Sequence, residues 1–188
     1  MILKEGSCVI RSATIKDAMI LNQWWNDGKV MEHAGFPNGL GQSLQDTIDE
    51  IERNKEKVSE LCILEIDGIK VGELSFRFQK EQEGKVEIGI KICDADYQEQ
   101  GYGTKFLSML IQYLFWKESL QKEFFVKEIV LNTNPKNKRA RHVYEKLGFR
   151  CLSVTEKSWQ DQLGRWQGSV EYGLTREGYE NRKDSRNK

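Results

Sequence analysis

The middle of the chain alternates apolar and polar positions as a strand with one buried face does. Between positions 86 and 92, a valine and three isoleucines occupy every second position, with polar or small residues between them. Because successive strand side chains point to opposite faces, this pattern predicts a half-buried strand. Two further apolar runs, Leu61 to Ile66 and Ile69 to Phe78, flank Asp67-Gly68. That dipeptide favours a tight turn, so the two runs are predicted to form a hairpin.

Apolar residues at spacings of three and four predict four helices. The first two open on a hydroxyl and a carboxylate three residues apart, Thr14 with Asp17 and Ser43 with Asp46. Such pairs satisfy the free N–H groups of a first turn. The third is a long helix that runs to about Lys122, and the fourth follows the next predicted strand.

The predicted order of elements is β-α-α-β-β-β-α-β-α-β-β. It indicates an α+β domain, with a mixed central sheet of about seven strands flanked by about four helices. The segment Gly28 to Gln42 is glycine-rich and is predicted as a loop. Phe149 to Thr155 and Ser169 to Leu174 are predicted as a closing hairpin. We expect one domain over residues 1–188, with a charged tail that frays from about residue 180.

Composition narrows the class of protein. The chain has 188 residues, with 29 basic and 29 acidic side chains. A balanced charge gives no general attraction to nucleic acid, so no nucleic-acid partner is expected. No apolar run reaches the roughly 18 residues that a membrane span needs, so no membrane partner is expected. The first residues do not resemble a secretory signal, which predicts a cytoplasmic location.

The cysteines predict neither a disulfide framework nor a metal site. Four cysteines lie far apart, without a CxxC pair and without clustering near either histidine. We therefore expect no metal, and mostly buried, reduced thiols. The residues concerned are Cys8, Cys62, Cys93, Cys151, His33 and His142.

A glycine-containing turn precedes the long third helix. It runs from Gln98 to Thr104 and holds Gly101 and Gly103. A helix N-terminus offers unpaired N–H groups and a partial positive charge, and glycine lets a phosphate approach the backbone closely. The turn lacks the G-x-G-x-x-G pattern of dinucleotide-binding folds and the Gly-Lys-Ser/Thr of Walker loops. From its residues alone, it is either a phosphate cradle or an ordinary strand-to-helix turn.

The fourth helix combines a polar start with one apolar face. Asn137 is a favourable N-cap, and Gly148 suits a left-handed helix end. Tyr144 lies on the apolar face, where an ordinary half-buried aromatic is also expected. The apolar face consists of Ala140, Val143, Tyr144 and Leu147.

Together, in this order, the two segments resemble the signatures of the GNAT superfamily of N-acetyltransferases. The matching residues are Gln98, Gly101 and Gly103 in the first signature and Asn137, Ala140, Tyr144, Gly148 and Phe149 in the second. The resemblance extends over roughly Val9 to Thr175, and the element order is also similar. Trp24-Trp25-Asn26-Asp27 and Tyr172-Gly173-Leu174-Thr175 look like the branch that contains ribosomal-protein and small-amine acetyltransferases.

The resemblance implies acetyl-CoA as co-substrate and gives roles to particular residues. Tyr144 would be the acid beside the thioester sulfur, and a backbone N–H near Ile92 or Cys93 would be the oxyanion donor. Asn137 would contact the coenzyme. The loop after Ile92 is one residue longer than the common form, which leaves open which backbone groups meet the pantetheine arm. The pyrophosphate would lie on the amides of Gln98, Glu99, Gln100, Gly101, Tyr102, Gly103 and Thr104.

The base that deprotonates the acceptor amine is less determined. Glu87 points away from the apolar face of its strand, where it is either a solvent-facing residue or the base. Glu73 on the neighbouring strand is a second candidate. A water chain without a single base is a third solution.

The acceptor pocket is expected between the Trp24–Gly41 region and the closing hairpin. Trp24 and Trp25 could shield a cationic substrate or simply pack in the core, and His33 could face the pocket. Further candidates are Trp166, Glu32 and Asp27.

Three functions follow from these assignments. The first is acetylation of a small-molecule amine, and the second is acetylation of a protein N-terminus or lysine. The third is a non-catalytic acyl-CoA-binding module, against which Tyr144 argues. A homodimer is compatible with all three.

Overall fold

The computed structural model describes residues 1–54, 58–79 and 81–186, with side chains as far as Asn181. Within these ranges it contains eight strands and seven α-helices. The strands are β1 Ile2–Glu5, β2 Cys8–Ser12, β3 Ser59–Ile66, β4 Ile69–Phe78, β5 Lys85–Ile92, β6 Glu128–Thr133, β7 Arg150–Gln160 and β8 Trp166–Thr175. The helices are α1 Ala18–Trp25, α2 Gly28–Met31, α3 Leu44–Arg53, α4 Tyr102–Trp116, α5 Glu118–Phe124, α6 Lys138–Leu147 and α7 Arg176–Arg186.

All eight strands belong to one sheet, in the order β1-β2-β3-β4-β5-β6-β8-β7. Every neighbouring pair is antiparallel except β5 and β6, which run parallel. The predicted hairpin at Asp67-Gly68 is confirmed, because Ile66 pairs with Ile69 across the turn. The α+β class and the mixed sheet are therefore confirmed.

Helices cover the two faces of the sheet. On one face, Cys62 and Leu64 of β3 pack in a large core with α4 and α6. On the other face, Leu61 and Ile63 pack in a smaller core with α1, α2 and α3. Alternate residues of each strand thus serve different layers. We call these two sides the α4 face and the α1 face.

The sheet opens between β5 and β6. Pairing of these strands is limited to Lys85–Glu87 of β5 against Glu128–Val130 of β6. Beyond Glu87, β5 continues along β4 alone, while β6 continues along β8. The second half of β5 therefore has one unpaired edge, which borders a gap in the sheet.

The structure differs from the predicted elements in four places. Strand β1 was missed because it is short and mostly exposed. The predicted loop contains α2, which the Asp27 side chain caps by accepting from the Lys29 N–H. The predicted long helix is two helices, α4 and α5, because Lys117 is extended. The predicted tail continues as helix α7, and its final two residues lie outside the described range.

Two further expectations concern thiols and membranes. Three of the four cysteines are buried as expected, whereas Cys151 is exposed on β7. In the part of the chain that the structure describes, no helix has the length and apolarity that crossing a membrane requires.

Candidate active site

A cavity of about 640 Å³ lies at the gap between β5 and β6. It is bounded by the open half of β5, the N-termini of α4 and α6, and residues 28–34, which contain α2 and are called the α2 segment. The lining residues are Lys29, Val30, His33, Ala34, Ile88, Gly89, Ile90, Lys91, Ile92, Tyr97, Gln98, Glu99, Gly101, Gly103, Thr104, Leu107, Asn132, Thr133, Asn137, Arg139, Ala140, His142, Val143, Tyr144 and Lys146.

The cavity passes through the sheet from one face to the other. Ile90 and Ile92 on its wall pack against the core of the α4 face. Lys91, also on the wall, contacts Glu73, which in turn binds Trp25 of α1 on the opposite face. Two reactants can therefore approach the gap from opposite sides and meet there.

The start of α4 forms a cradle of free backbone donors. The first intrahelical bond runs from the Lys105 N–H to the Gly101 carbonyl, so the amides of residues 102–104 have no partner within the helix. Gly101 adopts a left-handed conformation with φ of 84°, which glycine tolerates best. A Cβ built on Gly103 would have its nearest neighbour, Ile92 Cγ1, at 4.0 Å. Backbone donors and open space together fit a pyrophosphate.

Gln98, in the loop beside this cradle, links β5 to α6. Its Nε2 donates to the Ile92 carbonyl at 2.8 Å, and its Oε1 accepts from Arg139 Nη1 at 2.7 Å. Arg139 also lies 3.8 Å from the Glu99 carboxylate. Arg139 was not predicted from the sequence, and it brings a cation from α6 to the loop where Gln98 supplies none. Its place in the first turn of α6 does not by itself indicate this contact, which depends on the packing of α6 beside the loop.

The backbone of β5 presents free groups to the gap. The Cys93 N–H donates to the Val71 carbonyl at 2.8 Å, so it is engaged with β4. Because bonded and non-bonded pairs alternate in an antiparallel ladder, Lys91 also bonds to β4 through its backbone. Ile90 and Ile92 then direct their N–H groups towards the gap. Of the two predicted oxyanion donors, Ile92 has the suitable orientation and Cys93 does not.

Tyr144 lines the cavity with a nearly buried side chain. Its ring contacts Phe149 at 6.0 Å and Tyr172 at 5.8 Å between centroids, which fixes its orientation. Burial, with a smaller contribution from Tyr172, raises the pKa of the Tyr144 phenol to about 12. The phenol is therefore protonated at neutral pH and can act as an acid.

The overall sequence match decides the family. A family model for the acetyltransferase (GNAT) domain matches residues 8–150. The chain belongs to the GNAT acetyltransferase family.

Solved structures of similar fold cover almost the whole GNAT chain. A GNAT-family acetyltransferase from Bacillus anthracis has 24% identity and a TM-score of 0.75, over 94% of this chain and 99% of that one. A spermidine N-acetyltransferase from Vibrio cholerae, solved with CoA and spermine, has 16% identity and a TM-score of 0.80, over 94% and 100%. The Salmonella typhimurium enzyme that modifies the N-terminal serine of ribosomal protein L7/L12 has 15% identity and a TM-score of 0.77, over 93% and 99%. At these identities the likeness shows the fold.

Most of the predicted coenzyme contacts of this GNAT protein surround the cavity. Asn137 lines it and caps α6 by accepting from the Ala140 N–H at 3.1 Å. Gln100 and Tyr102 are absent from the described lining: Gln100 donates to the Asp96 carbonyl, and the Tyr102 ring contacts Tyr97. The predicted contacts on the lining are Ile92, Gln98, Glu99, Gly101, Gly103, Thr104 and Asn137.

The two predicted bases of the acetyltransferase occupy different settings. Glu73 is buried, with Oε1 2.6 Å from Lys91 Nζ and Oε2 2.7 Å from Trp25 Nε1. Both of its oxygens are therefore engaged. Glu87 lies where β5 leaves β6, on the same side as Lys91 but off the described cavity wall. Because Glu87 lies off the wall, a water molecule would have to connect it to an amine inside the cavity.

The predicted acceptor residues divide into core and cavity. Trp24 and Trp25 are each 7% exposed and belong to the core beneath α1, not to the described lining. Trp166 is 55% exposed at the start of β8. His33 does line the cavity, as does Lys29, which the sequence analysis did not single out. An isolated surface lysine offers no pattern by which to find it.

Proposed function

We propose that this protein is an acetyl-CoA-dependent N-acetyltransferase that acts on the primary amine of a small molecule. The observation that carries the proposal is the cavity that crosses the sheet at the β5–β6 gap. Its α4 side holds a cradle of backbone donors, and its α1 side holds polar side chains that can receive an acceptor. Tyr144 lines the same cavity.

The coenzyme would lie on the α4 side. The amides of residues 102–104 suit its pyrophosphate, and Arg139 suits a phosphate oxygen. The free edge of β5 suits the amide-rich pantetheine arm, which can pair like an added strand. When bound, acetyl-CoA supplies the activated acetyl group as a thioester.

The residues at the gap fit the needs of acyl transfer. The Ile92 N–H would stabilise negative charge on the thioester oxygen, as a preorganised backbone donor does. Tyr144 would donate a proton to the departing sulfur. Burial, followed by repulsion from Glu73, raises the pKa of the Cys93 thiol well above its ordinary value. A thiolate at Cys93 is therefore disfavoured, which supports direct transfer to the amine over an acylated cysteine.

A fixed acceptor wall supports a small acceptor. The loop that follows α2 is held by the tip of the β7–β8 hairpin, where the Gln162 N–H donates to the Gly35 carbonyl at 2.8 Å. The Gln162 side chain also donates to the Gly39 carbonyl at 3.0 Å and accepts from the Asn38 N–H at 3.0 Å. A wall clamped in this way suits a pocket of set shape better than an open peptide channel.

Acetyl-CoA is expected to stabilise the folded protein. A ligand that binds only the native state at 100 times its Kd adds about 2.7 kcal/mol. For a domain of this size, that corresponds to a rise in Tm of roughly 5–10 °C. The measurement is a thermal melt with and without millimolar acetyl-CoA, followed by a screen of amines for free thiol release. An unchanged Tm together with no thiol release from any amine would refute the proposed function.

Glu87 is expected to accept the amine proton through a water molecule. Glu87→Gln should lower kcat/KM about tenfold to a hundredfold at pH 7, because an aliphatic ammonium with a pKa of roughly 10 must lose its proton. The loss should shrink as pH rises towards the pKa of the amine. Glu83→Gln, in the exposed turn before β5, is the matched control. If Glu87→Gln has the same kcat/KM as the unmodified protein at every pH tested, Glu87 is not the base.

A further inference from the structure

The charged residues on the cavity wall are unevenly divided by sign. Among the described lining residues, Lys29, Lys91, Arg139 and Lys146 are basic, and Glu99 is the one carboxylate. The two histidines of the chain, His33 and His142, line the same cavity. The cavity therefore favours anions over cations.

The coenzyme accounts for the cations on only one side of the sheet. Arg139 and Lys146 project from α6 on the α4 face, where the pyrophosphate cradle also lies. Lys29 and His33 come from the α2 segment on the α1 face, and Lys91 points to that same face. The phosphates of a coenzyme bound at the start of α4 do not explain these three residues.

The neighbouring carboxylates offset part of this positive charge, but none of them is on the described lining. Glu73 engages Lys91 at 2.6 Å, yet the Lys91 side chain remains 34% exposed and on the cavity wall. Glu32 lies 3.7 Å from His33 but is 57% exposed and off the described lining. Asp27 keeps its charge while its Oδ1 accepts from the Lys29 N–H as the N-cap of α2, and it lies off the described lining. Among the side chains that the structure describes, none forms an ion pair with the Lys29 ammonium.

The protonation of Lys91 agrees with this geometry. Burial alone would lower the pKa of Lys91, but the adjacent Glu73 carboxylate raises it above its ordinary value. Lys91 is thus charged at neutral pH. The ammonium groups of a polyamine would face Lys29 and Lys91. On the α1 side of the described lining, no carboxylate is present to bind them.

We infer, on the basis of the proposed function, that the acceptor is a small amine that also carries an anionic group, either a carboxylate or a phosphate. Lys29, His33 and Lys91 bind the anion and so direct the amine towards the gap. The ammonium loses one proton to the base. The neutral amine attacks the thioester carbonyl, so that the N–C bond forms and the C–S bond breaks. Tyr144 protonates the departing sulfur, and the second proton lost by the nitrogen restores the phenol. The products are an N-acetylated anion and free CoA.

Matched pairs of acceptors test this inference. Glycine is compared with glycinamide, glucosamine 6-phosphate with glucosamine, and spermidine and a short N-terminal peptide are added. We expect kcat/KM to favour the anionic member of at least one pair at least tenfold. The pair that responds distinguishes a carboxylate from a phosphate. Each compound is also tested for thermal stabilisation of the CoA-bound protein, which does not require turnover.

Reversing the charge of Lys29 tests whether the preference for anionic acceptors comes from the cavity wall. Lys29→Glu should reduce the anionic-to-neutral ratio of kcat/KM at least tenfold. Lys16→Glu, at an exposed position outside the described lining, makes the same change in net charge and should leave the ratio unaltered. Salt should weaken the preference of the unmodified protein.

Three results would overturn the inference. They are equal use of both members of every pair, a preference for spermidine or the peptide, and the absence of stabilisation by any anionic member. If acetyl-CoA still raises the Tm and spermidine or another small amine is acetylated, the anionic acceptor is wrong and the proposed function stands. If acetyl-CoA also fails to bind, both are wrong. If the peptide is preferred, the anionic acceptor and the small-molecule acceptor are both wrong.

Discussion

Replacing Tyr144 with phenylalanine is expected to lower kcat about a hundredfold or more, while the Kd for acetyl-CoA changes by about twofold or less. The substitution removes only the hydroxyl. The ring keeps its contacts with Phe149 and Tyr172, so the local fold is retained. Because the pKa of Tyr144 is about 12, its phenol stays protonated through the usual assay range. If kcat falls with rising pH below about pH 10, the ionisation of another group is therefore responsible. Thiol release gives kcat, and calorimetric titration gives Kd.

The control for this variant is Tyr113→Phe. Tyr113 lies on α4, next to a separate cavity formed by residues such as Phe76 and Leu120. Its hydroxyl is remote from the gap, so kcat should be unchanged. If Tyr144→Phe retains the full rate, Tyr144 is not the acid. If the coenzyme Kd rises together with the loss of kcat, the phenol contributes to binding and not to proton transfer alone.

Replacing Gly103 with aspartate is expected to weaken coenzyme binding about a hundredfold. The new carboxylate would stand among the free amides of residues 102–104, where it competes for the same donors and repels a diphosphate. An acidic residue in the first turn of a helix is itself favourable, so the fold should survive. The measurement is the Kd for CoA by calorimetry at low and high salt.

Gly103→Asn separates charge from size at the same position. It adds nearly the same volume, with no charge, into space where the nearest atom is 4.0 Å from an ideal Cβ. We expect its loss of affinity to be at least tenfold smaller than that of the aspartate variant. High salt should narrow the difference between the two. If both variants bind CoA as the unmodified protein does, the start of α4 is not the pyrophosphate site.

Periodicity predicted the strands and helices that have one clearly buried face. Strand β4 was predicted with its observed bounds, and β5 followed from its alternating isoleucines. The failures came where no apolar pattern exists. Strand β1 is nearly all exposed, α2 depends on a single cap by Asp27, and the break at Lys117 is a change of one backbone angle. Sequence spacing carries no information about such local features.

The site residues also divide into those that the sequence predicted and those that it did not. Gly101, Gly103 and Tyr144 were predicted as site residues because they lie in contiguous motifs that resemble the GNAT signatures; their spacing alone indicated a helix start and a helix face. Trp25 could not be assigned to the pocket or to the core, because a buried indole and an exposed one look alike in sequence. Lys29 and Arg139 were missed because their importance arises only when separate elements come together at the gap. Tertiary position, and not residue type, selects them.

The gap beyond Glu87 has a consequence for the timing of the reaction. Because residues from both faces of the sheet line the cavity, the donor and the acceptor can bind from opposite sides without obstructing each other. CoA does not have to leave before the acceptor binds, so no acyl-enzyme intermediate is needed to hold the acyl group. The pairing of β5 with β6 ends after three residue pairs. The gap that results favours transfer within a ternary complex over transfer through an acyl-enzyme intermediate.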